Sequence, residues 1–175
     1  MLKKSHARAK GEWRRMSPRD LPMVCEIAAV VHRNHPEDPE IFAERLQLYP
    51  EGCLMLECGG KPQGYVISHP WVLLQPPDLN TKIGAIPARP GTYYIHDLAL
   101  LPDARGLGVA AKVVGMLIDH ARAVGLPNAS LVAVSGSTPF WQRCGFRPVD
   151  DLDLAEKLES YGMARYMVRT VESRP

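Results

Sequence analysis

The segment YYIHDLALLPDARGLGVAAKVV, residues 93–114, constrains the fold of this chain more than any other. An apolar run of β character passes through a Pro-Asp turn and Arg-Gly-Leu-Gly, and then continues as an apolar series with helical spacing. This pattern predicts a strand over residues 93–101 and an amphipathic helix over residues 107–124. The predicted apolar face comprises Val109, Val113, Met116, Leu117 and Val124. Because small residues at a helix start leave backbone N–H groups open to an anion, the junction predicts a phosphate site.

Length and composition indicate an ordinary globular protein. The chain has 175 residues, of which 46% are hydrophobic and 23% are charged, and a domain typically has roughly 100–200 residues. Its net charge of +2 is too small to predict a polyanionic partner, so we expect no nucleic acid. Residues 1–10 are expected to be a flexible N-terminal end, followed by a single domain over residues 11–173.

Neither a membrane segment nor a metal site is predicted. No stretch approaches the roughly 20 apolar residues of a membrane helix, and the opening residues lack the apolar core of a signal peptide. We therefore expect a cytoplasmic protein without a membrane partner. The cysteines form no Cys-x-x-Cys pair and are expected to be buried thiols, namely Cys25, Cys53, Cys58 and Cys144.

The order of the predicted elements indicates an α+β fold. A short strand precedes two helices that begin at Asp20 and Asp38, and a hairpin follows over residues 53–71 around Gly-Gly-Lys-Pro. Residues 73–91 contain too many prolines for a regular element, and a loop of that length is usually functional or disordered. After the helix at 107–124 come a strand, two short helical stretches and a last strand over residues 163–171. Antiparallel hairpins with one crossover predict a sandwich around one sheet rather than a doubly wound nucleotide fold.

The glycines of residues 106–111 also match the dinucleotide-binding pattern Gly-x-Gly-x-x-Ala. That fingerprint requires an acidic residue about twenty positions later, whereas Ser135 and Gly136 stand there. Too few residues follow Ala111 to complete a doubly wound sheet. A Walker A loop is excluded because the chain has no Gly-Lys-Ser/Thr sequence.

Read from Arg105, the same turn is Arg-x-x-Gly-x-Ala, and here the sequence resembles the GCN5-related N-acetyltransferase (GNAT) superfamily. The pyrophosphate loop of that family is Gln/Arg-x-x-Gly-x-Gly/Ala. The segment PFWQRCGFRPV, residues 139–149, is similar to a later helix of the family that packs beside the coenzyme. The resemblance covers residues 93–149. It implies a three-layer α/β/α sandwich whose mixed, mostly antiparallel sheet is splayed at the strand that binds acetyl-CoA.

The resemblance implies acetyl-CoA as the acyl donor, with no metal. The pantetheine arm would pair, like an added strand, with the backbone of Leu98, Ala99 and Leu100. The residues that would hold the pyrophosphate are Arg105, Gly106, Leu107, Gly108, Val109, Ala110 and Ala111. The residues that would flank the pantetheine and adenosine are Ser137, Phe140, Trp141 and Arg143.

Two polar residues inside the apolar strand, His96 and Asp97, are the candidate catalytic groups, because an amine must be unprotonated to attack a thioester. In some members of the family a histidine at the place of His96 is implicated as the general base, and a structural histidine is the alternative. Asp97 is interpreted first as a structural hydrogen-bond acceptor and second as a base. Strand alternation predicts that the two side chains project to opposite faces unless a bulge intervenes.

Trp141 departs from the pattern of the family. A tyrosine is frequent at this position and is often proposed as the acid that reprotonates the leaving thiolate, which an indole cannot do. The alternatives are another group, with Ser135 and Ser137 nearby in sequence, or water, or release of the free thiolate. Two functions follow: an N-acetyltransferase acting by direct attack in a ternary complex, or a catalytically inactive acyl-CoA-binding protein.

The acceptor is expected to be a primary amine of a small molecule or peptide. The resemblance places it between the early helices and the loop at residues 73–91. The residues that could contact it are His32, His35, Glu37, Asp38 and Trp71, each of which can equally be a solvated turn residue. The sequence identifies neither the acceptor nor the oligomeric state, so a homodimer is left open.

Overall fold

A seven-stranded mixed sheet forms the centre of the computed structural model, which describes residues 11–134 and 136–172. The strands are β1 Gly11–Arg15, β2 Cys53–Cys58, β3 Lys61–Trp71, β4 Thr92–Leu100, β5 Asn128–Ala133, β6 Arg147–Pro148 and β7 Arg165–Thr170. Their order across the sheet is β1-β2-β3-β4-β5-β7-β6. Strands β4 and β5 pair in parallel, and the other neighbours pair antiparallel. The predicted flexible end and Ser135 lie outside the described residues.

Helices cover both faces of the sheet. They are α1 Leu21–Val31, α2 Pro39–Leu48, α3 Val109–Ala123, α4 Thr138–Arg143 and α5 Leu152–Lys157. On one face, Ile27 of α1 and Phe42 of α2 pack against Tyr65 of β3. On the other face, Leu117 of α3 and Trp141 of α4 belong to the same buried cluster as Ile95 and Leu131 of the sheet. The predicted α+β sandwich of three layers is confirmed.

Strands β4 and β5 separate along their length. Their pairing covers Tyr93–Ile95 of β4 and Ala129–Leu131 of β5. Beyond it β4 continues to Leu100, paired with β3 on its other side, and the two neighbouring strands leave a gap between them. The splayed sheet that the resemblance implied is therefore present, and beyond Ile95 one backbone edge of β4 has no strand partner among residues 11–134 and 136–172.

Helix α3 is shorter than the sequence predicted, and its buried face differs. It begins at Val109 because Gly106 and Gly108 both have a φ of 74°, a left-handed conformation that cannot be continued as a right-handed helix. Two residues of the predicted apolar face, Met116 and Val124, are 39% and 45% exposed. The face that is buried consists of Val109, Val113, Val114, Leu117, Ile118 and Ala121.

The proline-rich segment 73–91 contains no helix or strand, as predicted, and it is held by side chains of its neighbours. The carboxylate of Glu44 in α2 accepts the N–H groups of Ile83 at 3.0 Å and Gly84 at 2.9 Å. The hydroxyl of Tyr161 donates to the carbonyl of Pro77 at 2.8 Å. The segment therefore lies along α2 and beside the 3₁₀ turn at Glu159–Tyr161.

Candidate active site

A cavity of about 610 Å³ occupies the gap between β4 and β5. Six elements contribute to its wall: the end of α1, β4, the turn before α3, the start of α3, β5, and α4 with the residue before it. Fourteen of the lining residues are His32, His96, Asp97, Leu98, Leu100, Arg105, Gly106, Gly108, Val109, Ala110, Ala111, Phe140, Trp141 and Arg143, and Ser137 lines it as well. The cavity thus extends from the glycine turn to the polar residues in the middle of β4.

Most of the residues that the sequence singled out meet at this cavity, with two exceptions. The side chain of Ala99 is fully buried on the opposite face of the sheet, in the cluster beneath α1 and α2. Leu107 packs against the cluster that contains Leu56 and Ala104. Ala99 misses the cavity because alternation along β4 turns its side chain to the opposite face from Leu98 and Leu100. Leu107 misses it because its side chain points towards Leu56 of β2.

The turn at residues 105–108 leaves backbone N–H groups open at the start of a long helix. Gly108 is the N-cap residue of α3, and the first intrahelical bond runs from the N–H of Lys112 to the carbonyl of Gly108 at 3.1 Å. The preceding N–H groups of this first turn have no intrahelical acceptor. A Cβ at Gly106 or Gly108 would meet no described atom within 4 Å. The site therefore has both the donors and the room for an anionic group.

A β-bulge brings His96 and Asp97 to the same face of the sheet. On β3, Ile67 pairs with Asp97 and the next residue, Ser68, pairs with Ile95, so His96 is the extra residue of β4. Asp97 contacts Tyr65 and His32, and His96 contacts Glu37. The expectation of opposite faces therefore does not apply, because the bulge shifts the alternation by one residue.

His96 forms a buried hydrogen-bonded pair with Glu37. Its Nε2 lies 2.9 Å from Oε2 of Glu37, and the two side chains are only 2% and 6% exposed. Burial alone would raise the pKa of Glu37, but the attraction and hydrogen bond of His96 outweigh it, and the pKa is lowered. A carboxylate only accepts hydrogen bonds, so Nε2 of His96 holds the proton and the lone pair of the neutral ring is on Nδ1. Within the described part of the chain, Nδ1 is buried and has no hydrogen-bond partner.

Asp97 is an anion held between His32 and Tyr65. Its Oδ1 lies 2.6 Å from Nε2 of His32, and its Oδ2 accepts a hydrogen bond from the hydroxyl of Tyr65. The ring N–H of His32 is not aligned on the carboxylate, so this contact is primarily an electrostatic attraction. Burial would raise the pKa of Asp97, but His32 and Tyr65 outweigh it and the pKa is lowered. For His32 burial would lower the pKa, whereas the charges of Asp97 and Glu37 raise it.

Trp141 is a packing residue that also reaches the cavity. It is 7% exposed, and its ring stands edge-on to Phe140 at 4.9 Å and to Phe146 at 5.5 Å between centroids. The indole therefore contributes to the core beneath α4. It supplies no acid group to the cavity.

A second cavity of about 310 Å³ lies behind the larger one and shares His32 and Asp97 with it. Of the residues predicted to be near the acceptor, His35 and Glu37 also line this second cavity. Asp38 lines neither and instead bonds to Asn80, and the indole N–H of Trp71 donates to the carbonyl of Gln75 at 2.7 Å. Sequence reasoning did not find the pairing of His32 with Asp97 or of Glu37 with His96. No local pattern could have indicated either one, since the partners are far apart in the chain.

The described residues contain no group of three or more His, Cys, Asp or Glu side chains that could hold a metal ion. None of the helices in 11–134 and 136–172 is long and apolar enough to cross a membrane.

Comparisons with known proteins agree with this geometry. The sequence profile of the acetyltransferase (GNAT) family matches residues 16–146. No curated protein sequence matches the chain.

Solved structures share the fold at low sequence identity. Ard1 from Thermoplasma volcanium is 16% identical with a TM-score of 0.70, covering 93% of this chain and 99% of its own. The GphF GNAT-like decarboxylase in complex with isobutyryl-CoA is 15% identical with a TM-score of 0.74, covering 92% and 100%. The ribosomal-protein-S18-alanine N-acetyltransferase from Escherichia coli is 15% identical with a TM-score of 0.66, covering 95% and 97%.

Proposed function

Because the chain belongs to the acetyltransferase (GNAT) family, we propose that it is an acetyl-CoA-dependent N-acetyltransferase acting on a primary amine of a small molecule or peptide. One observation supports this function more than any other. A single cavity joins an open helix N-terminus, an unpaired strand edge and a buried imidazole–carboxylate pair. Acetyl transfer from acetyl-CoA to an amine needs a site for the pyrophosphate, a surface for the pantetheine arm and a base near the thioester. These three follow one another along the coenzyme.

In this proposal the pyrophosphate binds at the turn of residues 105–108. The N–H groups at the start of α3 donate to its oxygens, and the dipole of this 15-residue helix adds to the attraction. Arg105, which is exposed at the edge of the cavity, contributes a positive charge. Phe140, Trp141 and Arg143 line the wall opposite β4 and flank the remainder of the coenzyme.

The pantetheine arm is proposed to pair with the free edge of β4. Its two amides match backbone groups that have lost their neighbour where β5 diverges. Running along Leu100 and Leu98 towards the bulge, the arm brings the thioester to His96. The acyl carbon then lies near His96, whose Nδ1 has no hydrogen-bond partner among the described residues.

His96 is proposed as the general base. Its Nδ1 takes a proton from the amine, directly or through water, while the amine nitrogen forms a bond to the carbonyl carbon. Glu37 holds the ring through Nε2, fixes the tautomer and stabilises the imidazolium that forms. Collapse of the tetrahedral intermediate breaks the C–S bond and leaves the electron pair on sulfur.

The second candidate is an acyl-CoA-binding protein without transfer activity. The observation that favours it is the tryptophan in place of the usual tyrosine, because Trp141 provides no proton for the sulfur. Under this alternative acetyl-CoA binds and no amine is acetylated.

Thiol release measured with a panel of amines tests the proposal. Purified protein is given acetyl-CoA, or isobutyryl-CoA because a structural neighbour was solved with it, together with amino acids, polyamines and peptides. We expect acetyl-CoA to raise the melting temperature, NAD to have no effect, and at least one amine to release free CoA. Binding without thiol release across the panel would favour the inactive alternative, and failure to bind acetyl-CoA would refute both.

We further propose that the protein is cytoplasmic and acts without nucleic acid or membrane partners. The amine panel identifies the acceptor, and a measurement of molecular mass in solution gives the oligomeric state.

A further inference from the structure

From the wall of the larger cavity we infer that His32 is the acid that protonates the departing CoA thiolate, in the place of the missing tyrosine. This inference rests on the proposed function, since it concerns the second half of the same transfer. The described residues bring five ionisable side chains to the cavity. They are His32, His96, Asp97, Arg105 and Arg143.

Four of these five groups are unsuited to donate the proton. Arginine does not release its proton at any ordinary pH, which removes Arg105 and Arg143. Asp97 is held as a carboxylate by His32 and Tyr65. His96 has an empty Nδ1 and receives the proton of the amine. His32 is the group that is left.

The position of His32 suits the task. It is the C-cap residue of α1, at the negative end of the helix dipole, where a cation is stabilised. Its Nε2 faces Asp97, which is adjacent to His96 in the bulge of β4. His32 is therefore at the same end of the cavity as the proposed base, away from the glycine turn. Its side chain lines this cavity and is 18% exposed.

The charges around His32 favour the imidazolium. Asp97 on β4 and Glu37 after α1 are the carboxylates that face it, and they raise its pKa. Tyr65 on β3 reaches it only through Asp97. The other titratable groups lining the smaller cavity with it are Cys25, Arg33 and His35. Two histidines thus lie at one site, each beside a carboxylate. The charges favour the imidazolium of His32, while the hydrogen bond from Nε2 of His96 to Glu37 leaves a lone pair on its Nδ1.

The proton balance of the complete transfer is closed. The amine nitrogen bonds to the acyl carbon and gives one proton to Nδ1 of His96. The C–S bond breaks, the electron pair stays on sulfur, and the sulfur takes a proton from the imidazolium of His32. The products are the amide and CoA thiol. His96 then loses its proton to solvent and His32 regains one.

The test is the pH dependence of kcat in His32→Gln, measured at saturating acetyl-CoA and amine. An acid must be protonated, so kcat of the parent should fall at alkaline pH. Glutamine keeps a polar side chain beside Asp97 but has no proton to give. We expect kcat to drop by roughly 10²-fold, the alkaline decline to disappear, and the Kd for acetyl-CoA to stay as in the parent.

His120→Gln is the matched control, because Nε2 of His120 pairs with the hydroxyl of Tyr49 at 2.8 Å and the residue lines neither cavity. It should keep the parental profile. Asp97→Asn provides a second measurement: without the carboxylate the alkaline decline should move to lower pH. If His32→Gln keeps the parental kcat and the parental alkaline decline, His96 returns the proton itself and the inference is wrong. If the parent releases no CoA with any amine, the proposed function fails instead.

Discussion

Replacing Glu37 with glutamine tests the proposed base through its partner rather than through the imidazole itself. The side chains of Glu37 and His96 are almost fully buried, and their nearest atoms are 2.9 Å apart. Two opposite charges about 4 Å apart attract by about 4 kcal/mol at an effective dielectric constant of 20. The Glu37→Gln variant loses that attraction at the moment when His96 becomes an imidazolium.

The amide adds a second effect, because it changes which proton pattern the ring prefers. Glu37 accepts the N–H of Asn80 at 3.1 Å through Oε1 and the ring N–H of His96 through Oε2. A glutamine has one acceptor and one donor in this place, so it can keep the bond to Asn80 only by donating to Nε2 of His96. The proton of the ring then moves to Nδ1, and Nδ1 no longer has a lone pair to accept a proton.

Both effects act on the chemical step, so we expect kcat to fall by between roughly 10²- and 10³-fold while the Kd for acetyl-CoA stays unchanged. The assay is thiol release with the best amine from the panel, alongside the melting temperature. Asp38→Asn is the control, since Asp38 is the neighbouring carboxylate and bonds to Asn80 rather than to a histidine. A Glu37→Gln protein that is folded and has the parental kcat at every pH would refute the base assignment.

Three shorter predictions concern the coenzyme turn, the tryptophan and the edge of the sheet. Gly108→Asp puts a side chain and a negative charge at the N-terminus of α3, where φ is 74°. Acetyl-CoA should then no longer raise the melting temperature, and retained binding would show that the turn is not the pyrophosphate site. Trp141→Tyr should keep the fold and raise kcat if an acid near the sulfur is limiting; a large loss of stability would mean that the edge-on packing against Phe140 and Phe146 is its main role. The hydrogen bonds of Arg14 lower the pKa of Asp20 from 3.8 to about 2, so the stabilisation is complete above pH 4 and lost as the pH falls to 2. Because Arg14 is 39% exposed, Asp20→Asn should cost about 1 kcal/mol at pH 6 and almost nothing at pH 2 in urea unfolding.

Local sequence was sufficient for the features that are themselves local. The strand, the glycine turn and the helix follow one another within residues 93–123, and each is specified by neighbours in the chain. The hairpin at Gly59 and Gly60 is similar, since both glycines have a positive φ. The boundary of α3 was predicted less well, because the left-handed conformation of Gly108 delays the helix by two residues beyond Leu107.

The pairings at the site depend on distant residues and could not be predicted. His96 meets Glu37 across 59 positions of the chain. The bulge that turns Asp97 towards His32 is visible only in the register of β3 against β4. Simple alternation along β4 would place the side chains of His96 and Asp97 on opposite faces of the sheet. Nothing in the local sequence around these two residues indicates that β4 contains an extra residue here.

The gap between β4 and β5 separates the strands of the first part of the chain from the strands of the last part. Strands β1 to β4 belong to residues 11–100 and strands β5 to β7 to residues 128–170, and the ladder between β4 and β5 has three residue pairs. Each half is continuous in sequence, and the two halves meet along a seam that is held on one face of the sheet by the buried cluster containing Ile95 and Leu131. A ligand that lies in this seam touches both halves and binds only when they are together. Its binding energy therefore also acts as folding energy, and it adds to the buried contacts that already join the two halves.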